Sequence, residues 1–178
     1  MPERKRIERP ATDEFAPYYL RYIEQVQGDD AVAAMALQIE STSALLSGLT
    51  EARALHRYAS AKWSVKELVV HLADAERVFA YRALRFARND ATPLPGFEEG
   101  EWAPESRADT RPMPAILAEL KAVRAATIAL FRSFDATAIG RRGVANGQPM
   151  SVRAAAWAIA GHELHHVGVL RDRYGLGG

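Results

Sequence analysis

Trp63-Ser64-Val65-Lys66-Glu67-Leu68-Val69-Val70-His71-Leu72-Ala73-Asp74-Ala75-Glu76 is the stretch on which the fold turns. Ser64 and Glu67 form a capping box ahead of an apolar run, in which a serine hydroxyl and a glutamate carboxylate satisfy amide donors at a helix start. A long helix therefore opens at Ser64. Its stripe runs Val65, Leu68, His71 or Leu72, Ala75, Phe79 and Leu84 or Phe86, fading near Asn89-Asp90. His71 falls on that stripe, where a histidine is costly to bury unless something takes up its ring nitrogens.

The same period recurs on both sides. Phe15, Tyr18, Tyr19, Tyr22 and Ile23 suggest a short opening helix over about residues 13–27, stopped by Gly28, and Asp29 or Asp30 can cap a helix reaching Leu49. Downstream, residues 89–114 hold five of the nine prolines and read as a long crossover loop. A helix follows to Phe134, then Asn146-Gly147 signals a small hairpin or tight loop. Ser151 caps the last helix, with Val152, Ala155, Ile159, His162, His166 and Val169 or Leu170 inward and Gly175 ending it. Few segments alternate apolar and polar residues, so the chain reads as all-α, a four-helix bundle with additions. Residues 1–12 are expected to be a flexible leader and 13–178 one domain.

Composition narrows the function. The absence of cysteine removes disulfides, thiolate metal sites and a cysteine nucleophile, so any thiol chemistry requires a thiol brought in as substrate. Net charge is +1, with no field to attract nucleic acid. No apolar run approaches a membrane span, and Met1 to Pro10 lacks the apolar core of a secretory signal, so a cytoplasmic protein is expected.

His162 and His166 stand one helical turn apart on one face, where two imidazoles can reach a single ion, with His71 supplied by another helix. Either the three fill polar niches in the core, or they form a metal site that suits zinc, nickel, copper or iron and leaves room for water or substrate. His165 lies off the stripe's centre and is the substitute ligand. His162-Glu163-Leu164-His165-His166 also matches the H-E-x-x-H zinc-peptidase helix, but only Asp172 follows as a third donor. Asp74 and Glu67, three and four residues from His71, could orient its ring or act as a base, and Glu163 is a second candidate proton carrier. Trp63 reads as a staple at the helix entry and His56 as an exposed loop residue.

With Trp63-Ser64-x-x-Glu67-x-x-x-His71-x-x-Asp74-x-Glu76, the proline-rich crossover bearing Trp102, the Asn146-Gly147 turn and His162-x-x-x-His166, the chain resembles the DinB/YfiT-like superfamily of four-helix-bundle metalloproteins over about residues 29–175. The resemblance implies His71, His162 and His166 as ligands of a divalent ion, zinc or nickel, in a homodimer acting on a small molecule. It implies transfer of a low-molecular-weight thiol to an electrophile, with hydrolysis as the other reading and a non-catalytic metal-binding bundle as the rival. Asp74 and Glu163 are the residues expected to manage protons.

Overall fold

In the computed structural model, which describes residues 6–177, helices occupy Leu20–Ile23 (α1), Ala31–Leu46 (α2), Glu51–Ala54 (α3), Val65–Ala87 (α4), Glu99–Glu105 (α5), Met113–Arg132 (α6), Ala136–Gly140 (α7) and Val152–Asp172 (α8). Two strands, Arg142–Ala145 (β1) and Gln148–Ser151 (β2), precede the last helix. The four long helices α2, α4, α6 and α8 make the expected bundle. Their starts follow the sequence signals: Asp30 accepts from Val32 N, and Ser151 from Ala154 N. At Ser64 the box is complete, its hydroxyl accepting from Glu67 N at 3.0 Å and its own N–H donating to Glu67 Oε2 at 2.9 Å.

The connectivity is not up-and-down. α4 packs against α6 and α8, and α2 packs against the same two, so the ring order is α2, α6, α4, α8. Helices consecutive in the chain, α2 with α4 and α6 with α8, therefore face each other across the diagonal. The Asn146-Gly147 hairpin forms, both residues at positive φ (52° and 69°), and pairs β1 with β2 antiparallel. The crossover runs alongside it, Leu94 N donating to Val144 O and Asn146 N to Leu94 O.

Three expectations are corrected. The opening helix of residues 13–27 is instead two 3₁₀ turns, Thr12–Glu14 and Pro17–Tyr19, followed by the single turn α1. Pro17 lacks an N–H donor, and buried Glu14 is held by Arg153 Nε (2.7 Å) and by the amide of Ala11 (3.0 Å), which fixes a bend where a helix would run through. Of the leader, residues 1–5 lie outside the described residues, but residues 6–12 are packed rather than loose. Ile7 is buried, its carbonyl accepts from Trp157 Nε1 (2.9 Å) and Ala31 N, and Arg9 stacks 4.2 Å from the Trp157 ring. The crossover contains structure of its own, α5 and a 3₁₀ turn at Ala108–Thr110. Ala154, Ala155 and Ala156 are fully buried within the chain. Among the described residues no helix is long and apolar enough to cross a membrane.

The core consists of two apolar clusters. One gathers Ile7, Met35, Phe79, Phe86, Phe131 and Trp157; the other gathers Leu46, Leu68, Val69, Ile116, Leu120 and Leu170. Between them every bundle helix contributes buried polar groups: Thr42 from α2, His71 and Glu76 from α4, Arg124 from α6, and His162 and Glu163 from α8. Arg124 grips Glu76 through Nε (2.9 Å) and Nη2 (2.8 Å), donates Nη1 to Met35 O (2.9 Å), and places Nη1 2.7 Å from Glu163 Oε2. Thr42 Oγ1 donates to Glu163 Oε1 at 2.5 Å. Burial alone would lower the Arg124 pKa, but the two carboxylates raise it above its ordinary value. Replacing Arg124 by methionine strands two buried carboxylates, so urea unfolding should show a loss of about 3–5 kcal/mol.

Candidate metal centre

α4 and α8 are neighbours in the ring, and this adjacency brings His71 to His162 and His166. His71 Nε2 and His166 Nε2 each lie 3.1 Å from His162 Nε2, and one nitrogen from each ring falls within 4.8 Å of the others. Ligand nitrogens of a tetrahedral ion with bonds of about 2.0–2.1 Å stand roughly 3.3 Å apart, so the spacing suits a single ion. A neutral ring nitrogen carries either one hydrogen or one in-plane lone pair, so His162 Nε2 cannot make good hydrogen bonds to both neighbours at once. A cation accepting all three lone pairs resolves the conflict. His166 Nδ1 is buried without a partner.

Burial keeps the imidazoles neutral, the form that coordinates. It pushes His71 down to about 4 and His166 down to about 3, and it drives His162 well below its ordinary value with His166 and His71 adding to the effect. His71 and His162 are each 8% exposed. The Trp63 ring lies 4.8 Å from that of His71, while the Tyr22 ring meets His162 edge-on at 5.5 Å. Tyr22 reaches this position because Gly161 has no side chain, as a Cβ there would come within 2.1 Å of Tyr22 O.

The other candidates take up different places. His165 is half-buried, its pKa lowered by burial and then by Arg21, and its ring faces Tyr22 and His166 from outside the converging group. Glu163 is committed to Thr42 and Arg124. Glu67 is occupied by the capping box and by Arg57 (2.6 Å). Asp74 pairs with Arg77 at 3.0 Å, and burial outweighs that partner to raise its pKa. It shares a small cavity with His71, Glu99 and Trp102 but makes no hydrogen bond to the imidazole. Asp172 and His56 are exposed and are not among the converging residues, so the peptidase reading lacks its downstream ligand.

The nitrogens open on a cleft of about 500 Å³, walled by Tyr19, Tyr22, Trp63, Phe79 and Phe97 and carrying Arg21, Arg82, Glu98 and Glu99. The sequence pattern gives the tyrosines only helical spacing and gives Arg82 no role. The signal available was its step of eleven from His71, which returns a helix to nearly the same face.

A diagonal four-helix bundle with three imidazoles converging between two of its helices defines a class of small metal-binding bundle proteins. The chain belongs to the DinB superfamily, whose family model matches residues 34–170. It is 30% identical over 135 residues, covering 73% of this chain and 76% of its relative, to a protein of Geobacillus kaustophilus (strain HTA426) named "Putative metal-dependent hydrolase". Its fold matches that of YfiT from Bacillus subtilis, described as "a probable metal-dependent hydrolase with an unusual four-helix bundle topology", with a TM-score of 0.68 and 17% identity over 94% of each chain.

Metal analysis should find about one divalent ion per chain, lost in His71→Ala, His162→Ala and His166→Ala and kept in His165→Ala and His56→Ala. Without metal, the depressed histidines leave the folded chain with fewer bound protons than the unfolded chain below about pH 6.5. Stability should therefore fall as pH drops from there to about 4, each histidine contributing up to ~1.4 kcal/mol per pH unit. Denaturation of the apoprotein across that range should show a shallower slope for His71→Phe.

Proposed function

We propose that the chain is a metal-dependent enzyme in which His71, His162 and His166 hold a zinc or nickel ion and a small thiol is transferred to an electrophilic small molecule in the cleft. The observation that carries this reading is the convergence of three neutral imidazole nitrogens on the floor of an aromatic-walled cleft of a size that suits a small molecule. A divalent ion in such a site supplies a lowered pKa for a thiol or water entering its open position.

The chain's own residues do the rest. Trp63 and Tyr22 fix the planes of His71 and His162, and Phe79 and Phe97 keep the cleft wall apolar. Neither carboxylate expected to carry protons stands free beside the histidines: Glu163 is spent on Arg124 and Thr42, and Asp74 is turned to Arg77. A nucleophile that ionises with little help fits such a site, and a thiol, with an ordinary pKa near 8.5, needs far less than water. Glu163 then serves by holding its neighbour His162 in place, and Asp74 remains the carboxylate nearest the cavity beside His71. Hydrolysis is the second reading, favoured by the names that the relatives carry. Association as a homodimer is part of the proposal, with Leu37 on α2, at 74% the most exposed large hydrophobic among the described residues, as an apolar contact on offer.

Zinc- or nickel-loaded protein should speed conjugation of a small thiol with an alkylating agent about tenfold or more over the His71→Ala protein at neutral pH. Cleavage of a simple ester with no thiol dependence would replace transfer with hydrolysis. Inactivity in both assays would leave a metal-binding bundle without catalysis.

A further inference from the structure

Arg82 is 3% exposed, yet among the described residues no carboxylate comes within ion-pair distance of its guanidinium. Nη2 donates to Pro95 O at 2.9 Å, and the Tyr19 hydroxyl stands within hydrogen-bonding reach of the guanidinium. The flat faces of Phe79 and Phe97 lie 5.6 Å and 5.9 Å from it, and the Tyr19 phenol is near enough for the guanidinium to draw its pKa down against the larger effect of burial. Every other buried arginine or lysine is matched: Arg124 by Glu76 and Glu163, Lys66 by Glu51. None of the Arg82 nitrogens is sealed in the core without a partner, so the donors not given to Pro95 and Tyr19 open on the cleft, where a guanidinium with no carboxylate beside it suits an anion.

The position of Arg82 indicates which anion. It lines the same cleft as the three histidines. Along α4, His71, Ala75, Phe79 and Arg82 follow one another at steps of four, four and three, forming one stripe along the cleft floor. Eleven residues give about 16 Å of rise between the ends of that stripe, of which a bond of about 2.3 Å to the ion and a hydrogen bond of about 2.9 Å to the guanidinium take up the ends, leaving roughly 10 Å for the ligand itself. Ala75 leaves the space between them low, and Phe79 makes it apolar. A single guanidinium fork suits one carboxylate. Glu98 and Glu99, on the same cleft, disfavour a more highly charged anion. Arg21, the other arginine on the cleft, is exposed and already turned to the Tyr22 hydroxyl (2.8 Å) and the Tyr18 ring.

We propose that Arg82 is the anion-binding residue of this cleft, holding the carboxylate of an elongated substrate whose reacting end lies at the three histidines. The inference rests on the metal-site reading above and names the substrate class that site takes: a chain of about 10 Å with a carboxylate at one end and the reacting group at the other.

Isothermal titration of zinc-loaded protein with two matched pairs tests it: 8-mercaptooctanoate against 8-mercaptooctanol, and octanoate against octanol. In the native protein each carboxylate should bind roughly tenfold or more tightly than its neutral partner. Arg82→Met should erase that ratio while leaving the neutral ligands and the zinc content unchanged, and Arg82→Lys should keep part of it. A ratio near one in the native protein, or one that survives in Arg82→Met, overturns the proposal. Equal weakening of charged and neutral ligands in Arg82→Met overturns it too, since that is what loss of a loop anchor at Pro95 would do. Should Arg82→Met fail to fold, the ratio in the native protein against Arg82→Lys decides. Failure of the thiol reading looks different: 8-mercaptooctanoate would then bind no better than octanoate, with the dependence on Arg82 intact.

Discussion

One guanidinium shared by two carboxylates at the centre of the bundle sets the terms for the rest of the molecule. Arg124 enters from α6, Glu76 from α4 and Glu163 from α8, and the Met35 carbonyl and Thr42 hydroxyl bring in α2. Moving any of these helices by one turn would bury an unpaired charge, which costs far more than a displaced leucine. The ion-pair cluster therefore works as a register pin between two apolar clusters that would tolerate sliding. A buried salt bridge is a poor source of net stability, and its use here is to select one packing among several.

The metal centre depends on that register. Glu163 directly follows His162 and Glu76 lies five residues beyond His71, so the pinned carboxylates fix the helical levels at which the imidazoles meet. The rest of the wall is built by tight approaches. Gly161 lets α1 lie on α8 with Tyr22 over His162, and the crossover carrying Phe97 and Glu99 is tied to the hairpin through Leu94. Two segments remote in sequence, the N-terminal turns and the crossover, thus close the cleft over residues that the bundle has already positioned.

Elements carrying a local chemical signature were legible from the amino-acid order. The Ser64 box, the Asp30 and Ser151 caps and the Asn146-Gly147 turn each depend on groups within four residues of one another, so they appear where those residues stand. The opening segment was misread because its tyrosines keep helical spacing. Its backbone is set by Pro17 and by a distant partner, Arg153, that no local pattern reveals. Residues 6–12 likewise look like a tail until Trp157 is placed beneath them.

The sequence by itself determined an all-α chain of four long amphipathic helices, its hairpin, and three histidines on inward stripes, because periodicity and capping are local properties. Only the tertiary structure decided that consecutive helices cross the diagonal, so that α4 meets α8. Only it decided that Glu163 answers to Arg124 instead of to a substrate, and that Arg82 lies on the cleft with no carboxylate paired to it among the described residues. Those outcomes turn on which charges are brought together over long separations, and charge pairing across a core depends on the packing of all four helices at once.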